Sequence, residues 1–524
     1  MALLEIEGLN LHAGDVPLVQ DLSLRLEAGK TLGLVGESGS GKSLTALAVM
    51  QLLPRAVRAG GQIRFDGTSL NGLSERAMVR IRGQGIGMVF QEPMTALNPL
   101  MSIGDQVAET VRVHRGVGRV EALKAARVML NRVGLDAAKI ALERYPHELS
   151  GGQRQRVAIA MAVVLAPRLL IADEPTTALD VSTQAEILAL LKDMIREDGS
   201  ALLLISHDLA VISQMSERLV ILQRGALVDQ GETGAVLRDS PHPYTRSLVS
   251  AATPAPLRAG QLHASAPVAA AALLEVRDLT CSYGGVRAVD GVSLTVMPGE
   301  SVGLVGESGS GKSTLLRSIL GVQDIASGHV RLDGESLVDA QGAQLRRLRR
   351  MIQCVFQDPV ASFDPRWRVE RLIAEPLHLL DSQPTARERR GKVEHLLEQV
   401  GLSAGDADRY PHEFSGGQRQ RIAIARALIV DPALIALDEA VSALDARTRA
   451  QILSLLAQLS TRLGVAYLFV SHDLGVVRSI TDRVYVLQSG RIVESGATAA
   501  VFDAPSHVYT QTLINAVAGI DQSR

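Results

Sequence analysis

Apolar positions along this chain fall into short unbroken runs that return in the same order in each half. Leu32–Val35, Leu169–Ala172 and Leu202–Ile205 in the first half answer to Val302–Val305, Leu434–Leu437 and Tyr467–Val470 in the second. Runs of this length without polar alternation predict strands buried on both faces, the pattern of a parallel sheet. Leu3–Glu7 and Leu273–Arg277 predict a further strand at the start of each half. The polar stretches Ile103–Leu142 and Val369–Val400, rich in Arg, Glu, Leu and Ala, predict helix. Strands alternating with helices predict an α/β fold with ligand at the C-terminal ends of the strands.

The longest apolar run, Val157–Ala166, is bounded by Arg156 and by Pro167-Arg168 and is too short to span a bilayer. The N-terminus, Met-Ala-Leu-Leu-Glu-Ile-Glu, lacks the basic and apolar regions of a signal peptide. The expectation is a soluble chain that meets a membrane only through partners. Charge adds little direction: 54 basic and 56 acidic residues leave −2, so no basic face points to nucleic acid. Cys281 and Cys354 lie far apart and fit neither a metal spacing nor a disulfide framework, which suits a reducing compartment.

The repetition is literal at several points. Gly36-Glu37-Ser38-Gly39-Ser40-Gly41-Lys42-Ser43 returns unchanged as Gly306-Glu307-Ser308-Gly309-Ser310-Gly311-Lys312-Ser313. Val89-Phe90-Gln91 returns as Val355-Phe356-Gln357, and Tyr145 to Arg156 as Tyr410 to Arg421 with one change, Leu149 to Phe414. Asp173-Glu174 returns as Asp438-Glu439, and Ser206-His207-Asp208 as Ser471-His472-Asp473. Two domains of similar size follow, residues 1–250 and 273–524. Between them, residues 251–272 are rich in Ala and Pro, have little to bury, and read as a tether.

Each motif carries a chemistry. Both eight-residue stretches fit the phosphate-binding loop, in which glycines turn backbone N–H groups inward around a polyphosphate and the next helix adds positive potential. Lys42 and Lys312 can reach β- and γ-phosphates, and Ser43 and Ser313 can place a hydroxyl on Mg2+. Asp173 and Asp438, ending apolar strands, are placed to hold the same ion. Glu174 and Glu439 come next, where strand alternation would turn them to the other face as general bases for an attacking water. Gln91 and Gln357 can touch both ion and water, and His207 and His472 stand at matched strand ends. Ser150-Gly151-Gly152-Gln153 and Ser415-Gly416-Gly417-Gln418 open helices with exposed N–H groups. Since each half already has a phosphate loop, the economical reading pairs the Ser-Gly-Gly-Gln of one half with the γ-phosphate held by the other.

This set of motifs resembles the ATP-binding-cassette ATPases, and the resemblance covers both halves. It implies two tandem P-loop ATPase domains, each with a RecA-like parallel-sheet core, a helical subdomain and an antiparallel β region. It implies ATP and Mg2+ as cofactors and two composite sites formed head to tail. The first would join Gly36–Ser43, Gln91, Asp173, Glu174 and His207 to Ser415–Gln418. The second would join Gly306–Ser313, Gln357, Asp438, Glu439 and His472 to Ser150–Gln153. Asp180 and Asp445 match the family's D-loop, and Tyr283 matches the aromatic that stacks on adenine; the aligned position in the first half is Ala13, beside His12.

Glu92 to Pro99 and Pro241-His242-Pro243-Tyr244-Thr245 are similar to the peptide-importer branch, which includes oligopeptide, dipeptide and microcin C importers. In Ser506-His507-Val508-Tyr509-Thr510 a valine replaces one proline. That branch implies two membrane-spanning permease subunits and an extracytoplasmic solute-binding protein as partners, with this chain peripheral on the cytoplasmic face of the bacterial inner membrane. Two alternatives stay open: a fused sugar-importer ATPase, and a soluble twin-cassette translation factor. Matched halves argue against the first, and the short Pro/Ala-rich tether against the second.

Overall fold

The computed structural model describes residues 2–91, 96–177, 179–252, 257, 271–283, 286–359, 361–442 and 444–521, with backbone alone at 181, 283, 286 and 516–521. The chain divides into two compact units, built chiefly from Met1–Ala252 and from Thr253–Leu444 with Thr448–Ala518.

In the first unit the strands in chain order are β1 (Ala2–Ala13), β2 (Val16–Glu27), β3 (Thr31–Gly36), β4 (Val57–Phe65), β5 (Thr68–Ser69), β6 (Ile86–Val89), β7 (Leu169–Asp173), β8 (Ala201–Ser206), β9 (Arg218–Gln223) and β10 (Ala226–Glu232). They form one sheet in the order β5-β4-β1-β2-β10-β9-β3-β8-β7-β6. β6, β7, β8, β3 and β9 pair in parallel, β10 is antiparallel to β9, and β1, β2, β4 and β5 form an antiparallel layer. β7 and β8 are buried at every position, as expected of strands covered on both faces.

The second unit holds β11 (Leu274–Tyr283), β12 (Val286–Val296), β13 (Ser301–Val305), β14 (Ser327–Leu332), β15 (Glu335–Ser336), β16 (Ile352–Val355), β17 (Leu434–Asp438), β18 (Ala466–Ser471), β19 (Arg483–Gln488) and β20 (Arg491–Ala497). Here the antiparallel layer is a separate sheet, β12-β11-β14-β15, beside the core sheet β16-β17-β18-β13-β19-β20. The α/β class with parallel cores and antiparallel regions is therefore observed in both units.

Three expectations change. The stretch Ile103–Leu142 is two helices, Ile103–Arg115 and Arg119–Arg132, because Gly116 takes a left-handed φ of 65° and closes the first. Val369–Val400 likewise breaks into Val369–Ala374, a 3-10 turn Glu375–Leu379 containing Pro376, and Ala386–Gln399, which Thr385 caps. The opening strands run past Glu7 and Arg277 to Ala13 and Tyr283, since the register shifts near Gly8 and Asp278 are absorbed as irregularities rather than ends. The proposed tether lies mostly outside the described residues, and the helix Pro243–Ala252 runs two residues into it.

One contact sets how the layers meet beneath the site. A Cβ on Gly33 in β3 would stand 2.7 Å from Ile212 in helix Leu209–Met215, and one on Gly303 in β13 2.6 Å from Val477 in helix Leu474–Ile480. Gly33→Val is accordingly expected to cost about 1–3 kcal/mol through overpacking. The readout is the urea midpoint of the nucleotide-free chain; an unchanged midpoint would show that the helix has room to move.

Candidate active site

Four neighbouring parallel strands, β6, β7, β8 and β3, bring their C-terminal ends to one edge of the first unit. Gln91 follows β6, Asp173 ends β7 with Glu174 next, His207 follows β8, and the loop Gly36–Ser43 leaves β3. In the second unit β16, β17, β18 and β13 do the same for Gln357, Asp438-Glu439, His472 and Gly306–Ser313. Residues more than a hundred positions apart in sequence thus converge because adjacent parallel strands end together.

The loops need their glycines. Gly41 and Gly311, at φ 96° and 106°, stand just before the helices Lys42–Val49 and Lys312–Ile319. A Cβ on Gly41 would meet Val19 Cγ2 at 2.6 Å, and one on Gly311 the Ala288 carbonyl oxygen at 2.3 Å. Left-handed backbone at these positions turns successive N–H groups into an anion-binding concavity at a helix N-terminus. Lys42 Nζ donates to the carbonyls of Gly36 (2.7 Å) and Glu37 (2.9 Å) and lies 3.5 Å from Ser40 Oγ. Lys312 Nζ donates to Gly306 and Glu307, each at 2.7 Å. Burial lowers the Lys42 pKa, while Glu174 and Asp173 pull it back up. A desolvated ammonium is a strong partner for a polyphosphate.

The acidic residues divide into two kinds. Burial raises Asp173 from its ordinary 3.8 to about 6, against a hydrogen bond from Ser43 Oγ to Asp173 Oδ1 at 3.2 Å. Burial raises Asp438 as well, with Glu439 adding to it. Glu174 goes the other way. Burial pushes it up, but the hydrogen bond and charge of His207 lead a set of partners that leave it below its ordinary value. Its carboxylate accepts from His207 Nδ1 at 2.9 Å, Thr177 Oγ1 at 2.9 Å and Gln91 Nε2 at 3.0 Å. Glu439 is lowered in the same manner, burial opposing, with His472 Nδ1 at 2.9 Å. An ionised carboxylate facing Nδ1 places the proton there and leaves Nε2 as the outward nitrogen. Neighbouring acids pushed apart in pKa are the usual mark of divided roles.

The direction of Glu174 and Glu439 is not set by strand alternation. β7 and β17 end at Asp173 and Asp438, and the glutamates take left-handed φ values of 47° and 48°. Their N–H groups are tied to the carbonyls of Ile205 and Val470, each at 2.9 Å. Such strain, of order 1–3 kcal/mol, persists where the surroundings over-determine it, and it concentrates at functional sites.

Ser150 and Ser415 are exposed, and each caps its own helix. Gln153 N donates to Ser150 Oγ at 3.3 Å while Ser150 N donates to Gln153 Oε1 at 3.0 Å; Ser415 and Gln418 repeat the exchange at 3.4 and 3.0 Å. Gly152 and Gly417 have a packing reason as well, since a Cβ would lie 2.5 Å from Thr183 and 2.3 Å from Thr448. Gly151 and Gly416 are exposed, with open N–H groups at the helix start. Asp180 accepts from Thr183 N at 3.0 Å and caps helix Val181–Asp198; Asp445 precedes helix Ala446–Leu463. Ala13 and Tyr283 both end the first strand of their units, and the Tyr283 side chain lies outside the described residues. The stretch Glu92–Thr95 also lies outside them.

For Mg2+ the donor set fits. Ser43 Oγ and Asp173 Oδ1 are oxygen ligands already within 3.2 Å of each other, and the buried Asp173 carboxyl is one that a cation would bring back to the ionised form. Among the described residues no group of three or more His, Cys, Asp or Glu could hold a metal. Sequence reasoning missed Thr177. Its counterpart Ser442 donates instead to the Glu439 backbone carbonyl, at 2.9 Å. Among the described residues Gln357 makes no hydrogen bond to Glu439, so the two edges differ in detail.

Residues 19–177 and 289–442 match the family described as ABC transporter, and residues 493–524 match the oligopeptide/dipeptide transporter C-terminal region. The glutathione import ATP-binding protein GsiA of Salmonella typhimurium is 44% identical over 567 residues, covering 100% of this chain and 90% of its own. The protein of that name from Escherichia coli O157:H7 is 42% identical with the same coverage. Among solved structures, cbiO1 from Clostridium perfringens, part of the ABC transporter complex cbiONQ, is 29% identical at a TM-score of 0.41, covering 44% of this chain and 91% of its own. Among the described residues no helix is long and apolar enough to cross a membrane.

The raised Asp173 has a consequence for stability. Its ordinary 3.8 becomes about 6 on folding. Folding thus favours the neutral acid, and that contribution is full below about pH 4 and lost as pH rises through about 6, of order 2–3 kcal/mol. Asp173→Asn is neutral at every pH. The nucleotide-free variant should match the parent at pH 4 and exceed it at pH 7.5 by up to about 3 kcal/mol in chemical denaturation. Equal stabilities at pH 7.5 would contradict the assigned shift.

Proposed function

The chain belongs to the ABC transporter family as the ATP-hydrolysing subunit of an importer for peptide-like solutes, and from that premise we propose how its residues share the work. Membrane permeases are its partners, and the oligopeptide/dipeptide match with import relatives tells against the sugar-importer and translation-factor alternatives.

The observation that carries the proposal is the twice-built edge, where a Glu–His pair at 2.9 Å stands beside a phosphate loop. At the first edge Gly36–Ser43 wrap the polyphosphate and Lys42 meets its β- and γ-phosphates. Ser43, Asp173 and Gln91 would hold Mg2+, which when bound neutralises charge developing on the phosphate oxygens. Glu174, ionised, accepts a proton from water as the water oxygen bonds to the γ-phosphorus. The bond to the bridging oxygen breaks, giving ADP and phosphate. His207 donates its Nδ1–H to Glu174 and holds that carboxylate in place. Gly306–Ser313, Gln357, Asp438, Glu439 and His472 take the same roles at the second edge.

Each edge is proposed to be completed by the other half's signature. Ser415–Gln418 serve the nucleotide on Gly36–Ser43, and Ser150–Gln153 the one on Gly306–Ser313, with Asp180 and Asp445 as the D-loops linking the sites. Tyr283 is the proposed adenine-stacking residue, with His12 beside Ala13 in its place at the first site. The support is chemical: an exposed helix start with open N–H groups is of no use to a half that already cradles its own phosphates. ATP would close the two halves and hydrolysis reopen them, with the helices of residues 103–132 and 369–399 passing the motion to permease loops. We place the chain peripherally on the cytoplasmic face of the inner membrane, with a solute-binding protein delivering cargo outside. The relatives are glutathione import proteins, which makes glutathione, or a short peptide like it, the proposed cargo.

Glu174→Gln with Glu439→Gln should retain ATP binding while turnover falls roughly 10²–10⁴-fold, measured as phosphate release; near-normal turnover would sink the base assignment. Ser415→Arg should reduce nucleotide photo-crosslinking at the loop of Lys42 and spare that of Lys312. Loss confined to the second loop would reverse the pairing.

A further inference from the structure

The two segments similar to the importer branch also pack against the phosphate loops. Pro241–Thr245 and Ser506–Thr510 lead into the helices Pro243–Ala252 and Val508–Asp521. Both helices bring a buried tyrosine, Tyr244 and Tyr509, against the phosphate loop of its own unit. The Glu37 N–H donates to the Tyr244 hydroxyl oxygen at 3.4 Å, and the Glu307 N–H to that of Tyr509 at 3.0 Å.

The Glu37 and Glu307 carbonyls, alongside those of Gly36 and Gly306, accept from Lys42 and Lys312. One loop residue is therefore gripped at both ends, its N–H by a phenol and its C=O by the ammonium. The tyrosines are themselves held. On β10, the Asp229 carboxylate accepts from Thr245 Oγ1 at 2.8 Å and from Ser240 Oγ, and Tyr244 N donates to His242 Nδ1 at 3.3 Å. On β20, the Glu494 carboxylate accepts from Ser506 N at 2.8 Å, Ser506 Oγ at 2.7 Å and His507 N at 3.1 Å, and Tyr509 N donates to His507 Nδ1 at 3.2 Å. An aspartate in one unit and a glutamate in the other reach the same end by different bonds.

We propose that Tyr244 and Tyr509 are positioning residues of the two ATP sites, holding the first turn of each phosphate loop in its binding shape through the Glu37 and Glu307 amides. The proposal rests on the phosphate-loop reading above. A loop ordered before phosphate arrives does not pay its ordering cost at binding, so these tyrosines raise nucleotide affinity. Burial, with Glu37 adding to it, pushes the Tyr244 phenol up to about 12, which keeps it neutral at physiological pH.

The experiment is equilibrium binding of a fluorescent ATP analogue with Mg2+ to the full chain. In a Lys312→Ala chain, where the first loop alone reads out, Tyr244→Phe keeps the ring and removes one neutral hydrogen bond. Kd should rise about threefold to tenfold with the number of sites and the thermal midpoint unchanged. Tyr509→Phe in a Lys42→Ala chain should do the same at the second loop. In the otherwise unaltered chain the pair of changes should fall on KM for ATP rather than on kcat. A Kd within about 1.5-fold of the parent overturns the proposal, as does a loss of sites at constant Kd, which would make the hydroxyl purely structural. A Lys42→Ala, Lys312→Ala chain that binds as tightly as the parent would instead overturn the phosphate-loop reading itself.

Discussion

A carboxylate held by a histidine across the ends of two neighbouring strands is the constraint on which each edge depends. Glu174 and His207, like Glu439 and His472, meet at 2.9 Å only because β7 and β8, or β17 and β18, end side by side. The pairing brings a left-handed backbone at both glutamates and needs an amide tie to the next strand to keep it. In return the glutamate stays ionised in a buried place where Asp173, one residue earlier, is driven toward its neutral form. Two adjacent acids with opposite tendencies allow one to hold a cation and the other to receive a proton.

The fold was legible wherever burial was complete. β7, β8, β17 and β18 are apolar up to their last residue, so their limits lie within a residue of the runs Leu169–Ala172, Leu202–Ile205, Leu434–Leu437 and Tyr467–Val470. It was less legible where a single glycine or proline decides the outcome, as at Gly116 and Pro376, which cut one expected helix into two and another into three pieces. The motif residues were found by repetition, and the strand order explains why they converge. Their orientation was not legible: alternation gave no hint that a left-handed residue aims Glu174, because φ is set by long-range ties to β8. Thr177 escaped notice because its partner is fixed by that same turn, and the second half carries Ser442 there with a different bond.

Tyr244 and Tyr509 show the limit from the other side. They recur at the interval that separates Glu174 from Glu439, so the signal was present, but it read as a branch mark rather than a contact. What the sequence could not supply is that the last helix of each unit turns back onto that unit's own phosphate loop. That closure joins the peptide-importer C-terminal region at 493–524 to the nucleotide site of the same unit.

The central claim is that one chain carries two ATP sites and that the halves complete each other. Native mass spectrometry of the full chain titrated with a non-hydrolysable ATP analogue and Mg2+ tests it most directly. The account predicts a doubly loaded chain that appears with little singly loaded species before it. A chain that saturates at one nucleotide, or fills two sites with the statistical proportions of independent binding, would contradict it.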